Sequence, residues 1–197
     1  MAGVRRWWRS GAWDHEVEAL VQFGHFGNAT IRAWSASLES GVTFDRIRFA
    51  PRIGIAATLN SGDRRPSDRE LNTYRPLQSR TPFGTLPAFG VANAQGVQLL
   101  ASAALRPTLR ATVRNYWLWR ESIADGLYSG GGVPLRAAGS SGARRIGAQL
   151  EAELEYTIGR HARFGLVASH LTAGDFIRAA PGARDIDYVA ASVAYRF

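Results

Sequence analysis

Charged side chains at every second position of apolar segments are the residues of this chain best suited to contact a ligand. Residues 144–158 alternate an apolar set with a polar set that contains Glu151, Glu153 and Glu155. Arg114 occupies the matching polar position of an earlier segment, residues 109–120. Successive side chains of a strand point to opposite faces, so such segments predict one charged face and one apolar face.

Arginine on such a face can bind carboxylates through a planar, permanently charged fork. Interleaved glutamates would hold the arginines apart and keep each single binding site weak. The predicted solute-contacting residues and their ionic partners are Arg52, Arg114, Arg145, Arg163, Glu151, Glu153 and Glu155. For each residue taken singly, a purely structural ion pair is the alternative.

Other chemistry in the sequence is sparse. The chain has no cysteine, which excludes disulfides and thiolate metal sites. The four histidines are scattered without zinc-ligand spacing. Ser169 and His170 are adjacent, and on a strand they would face opposite ways, so they form no catalytic pair. We therefore predict no enzyme activity, no cofactor and no metal site.

The charge balance bounds the partners. The formal net charge is +8, and all 24 basic residues are arginine. Nucleic acid, an anionic surface and an acidic ligand are all compatible with this balance. Aromatic and charged side chains fall at opposite parities, however, whereas a nucleic-acid surface interleaves them on one face, so no nucleic-acid partner is predicted.

The chain ends bear on localisation. Residues 1–12 contain charges but no apolar core, so they do not resemble a signal peptide. They are predicted to be a non-native or periplasmic leader, and residues 13–197 a partial β-barrel domain from a truncated sequence. No run of about 18 apolar residues occurs, so no transmembrane helix is predicted.

Period-two alternation predicts eight strands. Residues 144–158 also place apolar side chains four apart, as a helix would, but their glycines and the following Gly159–His161 turn favour a strand. The region Ser61–Gln95 is predicted to be one long loop. The predicted strands are Trp13–Phe23, Ala29–Val42, Arg48–Asn60, Val97–Leu105, Leu109–Arg120, Arg144–Ile158, Ala162–Thr172 and Asp185–Phe197.

The connections sort by length. Tight links near Asp45, Pro107 and Arg160 fall at one end of the predicted sheet, and the long loops fall at the other. Membrane barrels have short periplasmic turns and long extracellular loops. Aromatic residues near strand ends suit the two interfacial girdles of a membrane barrel. The predicted girdle residues are Trp13, Trp34, Trp117, Trp119 and Tyr195.

The last strand, with Tyr195 and a terminal Phe197, resembles the closing strand of a bacterial outer-membrane barrel, which the barrel-assembly machinery recognises. These patterns favour an all-β, antiparallel up-and-down transmembrane barrel in outer-membrane lipid. Two alternatives stay open: a small closed eight-stranded barrel that does not transport, and a soluble basic β-domain with a binding role.

Four segments carry a resemblance to a known family: RTPFGTLPAFG, LRPTLRATVRNYWLWRESIADGLYSGGG, LEAELEYTIGRHARFGLVASHLTAGDFIRA and RDIDYVAASVAYRF. They resemble the carboxy-terminal half of the alginate-export family of outer-membrane porins. The resemblance implies an eighteen-stranded barrel with an arginine-rich pore for an acidic polysaccharide. It also implies that these strands form an open, curved sheet with unpaired edges at Trp13–Phe23 and Asp185–Phe197.

Overall fold

The fold is a single large antiparallel sheet with two small additions. The structure, a computed structural model, describes residues 1–76, 84–85 and 88–197. Parts of the predicted Ser61–Gln95 loop, residues 77–83 and 86–87, lie outside the described residues. The strands are β1 (Ala2–Ser10), β2 (Trp13–Phe26), β3 (Ala29–Thr43), β4 (Arg52–Asn60), β5 (Glu70–Leu71), β6 (Ala94–Arg106), β7 (Leu109–Arg120), β8 (Leu127–Tyr128), β9 (Pro134–Arg136), β10 (Arg145–Ile158), β11 (Ala162–Ala173) and β12 (Ile186–Tyr195).

The sheet is an open meander. Its long strands pair in the order β1-β2-β3-β4-β6-β7-β10-β11-β12, with β5 added in parallel to β3. Within the described residues, β1 and β12 are each paired on one side only. The predicted open sheet is therefore confirmed, and so is the strand at residues 144–158, where a helix was the alternative.

Residues 1–12 are not a leader outside the sheet, so that prediction is wrong. Ala2–Ser10 forms β1, which pairs with β2 from Val21 to Trp13 through a turn at Gly11. The described residues thus form nine long strands instead of eight, and the first edge is β1 instead of Trp13–Phe23. Trp7 and Trp8 occupy both parities of β1, which hid its alternation from the sequence analysis.

The two faces of the sheet show reversed burial: compared with a water-soluble sheet, the apolar face is exposed and part of the polar face is buried. The apolar face includes Val113 and Leu150, which are 47% and 52% exposed. The polar face includes Tyr116 and Glu151, which are 3% and 1% exposed. Water-soluble sheets bury their apolar face, whereas this sheet leaves its apolar face exposed and part of its polar face buried.

The connections divide between two ends, as predicted. At the turn end, residues 11–12, 44–51, 107–108 and 159–161 join neighbouring strands. At the loop end, the short link at residues 27–28 is accompanied by three long connections. These contain β5, the β8–β9 hairpin, the 3-10 turn Ala138–Ser140 and the short helix α1 (Asp175–Arg178).

A compact core lies at the loop end, on the polar face. Tyr74 and Leu127 from the long connections pack with Phe176 of α1 against Leu118 and Ile146 of the sheet. Because this core lies between the loops and the upper polar face, it explains why polar-face residues are buried on an otherwise open sheet. None of the helices in the described part of the chain is long and apolar enough to cross a bilayer.

A β-bulge at the start of β10 corrects the predicted orientation of Arg145. Arg145 pairs with Trp119, whereas Gly147 pairs with Leu118, so Ile146 is the extra residue. Directly opposed residues share a face, so Arg145 lies on the apolar face with Trp119, and Ile146 enters the loop-end core. A single inserted residue thus inverts the predicted parity of this strand end.

Candidate functional site

Arg52, the first residue of β4, lies between two carboxylates near the turn end of the polar face. Its Nε donates to Asp14 Oδ2 at 3.0 Å, and its Nη2 donates to Glu39 Oε1 at 2.9 Å. The three residues come from β4, β2 and β3, so the ion pairs cross two strand pairings. Gly41 of β3 makes room for the guanidinium, because a Cβ there would lie 2.4 Å from Arg52 Cζ.

Arg114 is held in the same way on the other half of the sheet. Its Nη1 lies 3.2 Å from Glu151 Oε1 and 2.7 Å from Glu153 Oε2. Ser169 of β11 adds a hydrogen bond by donating to Glu151 Oε2 at 3.1 Å. The structure therefore brings Arg114, Glu151 and Glu153 together as predicted, in a cluster that spans β7, β10 and β11.

The third predicted arginine pair is more exposed. Arg163 Nη1 lies 3.3 Å from Glu155 Oε2 near the turn end, with side chains 52% and 33% exposed. A further pair, Arg5 with Glu16 at 2.8 Å, was missed because β1 was not predicted. Pairs this exposed contribute only about 0–1 kcal/mol to stability, so their arginines remain available to a solute.

The distribution of charge along the polar face differs from the prediction. Arg52 near the turn end and Arg114 at mid-height each face two carboxylates, so each of these two ion-pair clusters carries one excess negative charge. Towards the turn end, Arg163 and Arg196 line one small cavity, and Arg110 pairs across the strands with Glu155. Unbalanced positive charge is therefore concentrated at the turn end of β7, β10, β11 and β12.

Arg120 is a structural residue that the sequence analysis did not single out. It ends β7, is fully buried, and donates hydrogen bonds to backbone carbonyls of two loop-end segments. Its carbonyl partners are Ile123, Asp125, Ser141 and Ala143, at 2.6 to 3.2 Å. The guanidinium also lies 3.7 Å from the ring centroid of Phe176 in α1. No sequence signal separates this arginine from its neighbours.

A hydrogen-bond network around Asp125 joins the connection between β4 and β6 to the connection between β7 and β10. Asp125 Oδ2 accepts from Asp63 N at 2.8 Å and from Thr73 Oγ1 at 2.6 Å. Its other oxygen accepts from the Tyr128 hydroxyl at 2.5 Å. Burial, together with the hydrogen bond to Asp125, raises the pKa of Tyr128 to about 12. This tyrosine therefore remains a neutral donor throughout the physiological range.

Asp63 is the member of this network whose ionised form is destabilised by its surroundings. Burial, and next the negative charge of Asp125, raise the pKa of the Asp63 carboxyl above its usual range. A raised carboxyl pKa destabilises the folded state as pH rises through the folded value, and the effect disappears below the unfolded value. We expect Asp63→Asn to raise the unfolding free energy by under about 1 kcal/mol at pH 7, after allowing for solvent screening.

The gain from Asp63→Asn should vanish near pH 3, where the carboxyl is protonated in both states. Thermal unfolding of both proteins in detergent at the two pH values measures it. A gain of equal size at pH 7 and pH 3 would show that the charge is not its cause. Asp68→Asn, at an exposed neighbouring site, is the control and should change stability less.

No group of three or more histidine, acidic or cysteine side chains placed to hold a metal occurs among the described residues. The polar face therefore offers ion pairs and arginines as its chemistry. A family model described as alginate export matches residues 1–191. The chain belongs to the alginate-export family. No curated protein matches the chain.

The alginate-export family is a transport family of the outer membrane, and the match extends over every strand of the sheet except the last residues of β12. It includes residues 1–12, which agrees with their place in β1. The resemblance noted from the sequence is thus confirmed for most of the chain. Membership also gives the reversed burial of the two faces a physical context, since lipid favours an exposed apolar face.

Proposed function

We propose that this chain forms part of the wall of an outer-membrane channel that passes an anionic solute, an acidic polysaccharide such as alginate. The observation that carries the proposal is the reversed burial of the sheet. An apolar face exposed along the strands suits lipid, and a face of paired charges suits a water-filled lumen. An alginate-export family member with these two faces is best explained as a channel and not as an enzyme.

The height of the apolar face supports a membrane location. On β3, Trp34 near the loop end is eight residues from Val42, which pairs with Trp13 near the turn end. Eight residues span about 27 Å along a strand, or about 20 Å after a tilt of roughly 40°. Aromatic residues at both limits, with Tyr195 at the turn end, correspond to the girdles that flank an apolar band of about 25 Å.

Strand direction supports a larger barrel. β1 and β12 both run from the loop end to the turn end, so their free edges cannot pair with each other in an antiparallel ladder. A second copy in the same membrane orientation would present edges of the same direction. Antiparallel closure therefore requires an odd number of additional strands, and an even total is the rule for bacterial barrels of this kind.

The proposed solute path follows the polar face. Arg52, Arg114 and Arg163 remain candidates to contact the solute, with Glu151, Glu153 and Glu155 as ionic partners. Arg145 is no longer one of them, because it lies on the apolar face. Conduction requires binding that is weak and repeated, and arginines already paired with carboxylates provide that without trapping a polymer.

The partners follow from this location. Outer-membrane lipid would surround the apolar face, and the barrel-assembly machinery would recognise β12 and the residues that follow it. There the exposed Phe197 meets Tyr195 edge-on, with the ring centroids 5.6 Å apart. A soluble basic β-domain is disfavoured, because large apolar side chains such as Val189 and Ile53 are 71% and 55% exposed along the strands.

Planar-bilayer recording of the complete channel tests the proposal. We expect ion conductance with a preference for anions, and block by soluble polyuronate at concentrations where a neutral dextran of equal length has no effect. The physical reason is attraction of carboxylates to the arginines of the lumen. Cation preference, or equal block by both polymers, would contradict an anionic substrate. Insertion without any conductance would contradict the channel itself.

A further inference from the structure

One loop-end connection reaches the middle of the polar face. The backbone N–H of Thr85, in the connection between β4 and β6, donates to Glu151 Oε2 at 2.6 Å. Glu151 is the seventh of the fourteen residues of β10, so it lies halfway along the strand. The six residues from Arg145 to Glu151 span about 20 Å along the strand. This connection therefore extends far below the loop end.

Among the described residues, Glu151 accepts hydrogen bonds from three donors, and one of these donors lies outside the sheet. Arg114 donates to Oε1, while Ser169 and Thr85 donate to Oε2. The side chain is 1% exposed, which an open sheet cannot achieve without a cover. A buried carboxylate needs several hydrogen-bond donors to replace the water that it loses on burial. The Thr85 N–H thus completes a site that the strands alone leave unfinished.

Gly84, the residue before Thr85, packs closely against the polar face of the sheet. Its φ of +87° is a conformation that favours glycine, and a Cβ built there would lie 2.7 Å from both Gln149 Nε2 and Glu151 Oε2. Among the described residues, Gln149 Nε2 is buried without a hydrogen-bond partner. The backbone of Gly84 therefore lies directly over the side chains of Gln149 and Glu151.

We propose that Glu151 is a positioning residue that holds Gly84–Thr85 against the channel wall at mid-height, so that these two residues narrow the lumen and limit the size of the solute. The inference rests on the proposed channel function. It changes the role of Glu151 from a residue of the solute path to an anchor beneath the constriction. Glu153, 28% exposed in its side chain, stays on the path.

The chain supplies a matched pair of variants. Glu151→Ala and Glu153→Ala each remove one carboxylate from Arg114 and leave it the other. Among the described contacts, only Glu151 also accepts from Thr85. Glu151→Gln removes the charge but keeps an acceptor for Thr85 and Ser169, so it should retain part of the contact that Glu151→Ala loses. Gly84→Ala acts from the opposite side of the contact without changing the wall.

Thiol labelling reads out the contact, because the chain has no cysteine of its own. Ser169→Cys reports on the covered polar face, and Ser192→Cys reports on exposed polar face as the control reporter. With a water-soluble reagent, we expect Glu151→Ala to speed labelling at 169 by about tenfold or more, as loss of one charge-assisted hydrogen bond shifts local opening. Glu153→Ala should leave the rate within about twofold.

If Glu151→Ala and Glu153→Ala speed the labelling at position 169 equally, the proposed anchoring role of Glu151 is wrong. If Glu151→Ala fails to assemble, Gly84→Ala decides: unchanged labelling in a folded protein overturns the proposal, and acceleration supports it. In bilayers, Glu151→Ala should raise conductance and admit larger neutral polymers. Faster labelling with an unchanged size limit would overturn the constriction. A protein that inserts without conducting contradicts the channel, while the labelling pair still decides the contact.

Discussion

Replacing Arg120 with methionine is expected to unfold the loop-end core while leaving the sheet below it paired. Methionine fills a similar volume but donates no hydrogen bond, so the carbonyls of Ile123, Asp125, Ser141 and Ala143 lose their partner. Each buried carbonyl left without a partner costs about 1–3 kcal/mol, so the loss over the four carbonyls should reach several kcal/mol. The cation–π contact with Phe176 is lost as well.

The measurement is limited proteolysis combined with urea unfolding of the protein in detergent. Cleavage should appear between residues 121 and 144, because these connections depend on the Arg120 guanidinium. Arg144→Met is the matched control, since Arg144 also donates to backbone carbonyls but is exposed. It should cost less than about 1 kcal/mol. Similar losses of unfolding free energy from Arg120→Met and Arg144→Met would show that the burial of Arg120 does not set the size of its effect.

Alternation predicted the strands because a membrane sheet keeps its period-two pattern for the full height of the bilayer. From Leu150 to Ile158 the parity holds without exception, and the ion pairs of Glu151, Glu153 and Glu155 follow from it. Cross-strand partners were predictable for the same reason. Once two strands pair in register, opposed residues on the polar face are neighbours.

The failures have a different physical origin. A bulge such as that at Ile146 depends on how neighbouring strands and the loop-end core pack, and alternation assigns one parity to the whole segment. β1 carries aromatic and charged residues on both faces, so it lacks a period-two signal. The contacts of Arg120 with Ser141 and of Glu151 with Thr85 join residues 21 and 66 positions apart, which no local pattern can indicate.

Reversing the charge of Arg110 and Arg196 together is expected to lower the anion preference of the channel about threefold to fourfold at physiological salt. The change amounts to four units of charge. At roughly 8 Å in water, this corresponds to about 2 kcal/mol before screening and roughly a third of that after it. These arginines lie towards the turn end, where positive charge exceeds nearby carboxylate charge.

The control double variant is Arg106→Glu with Arg145→Glu, which makes the same change in total charge on the apolar face. Arg106 reaches that face through the bulge that pairs it with Leu109, and Arg145 reaches it through the bulge at Ile146. Reversal potentials in asymmetric salt measure the anion preference of both double variants. Lowering the salt tenfold should enlarge the effect at Arg110 and Arg196, because screening weakens. Equal shifts from the two double variants would mean that total charge, and not its placement along the lumen, sets selectivity.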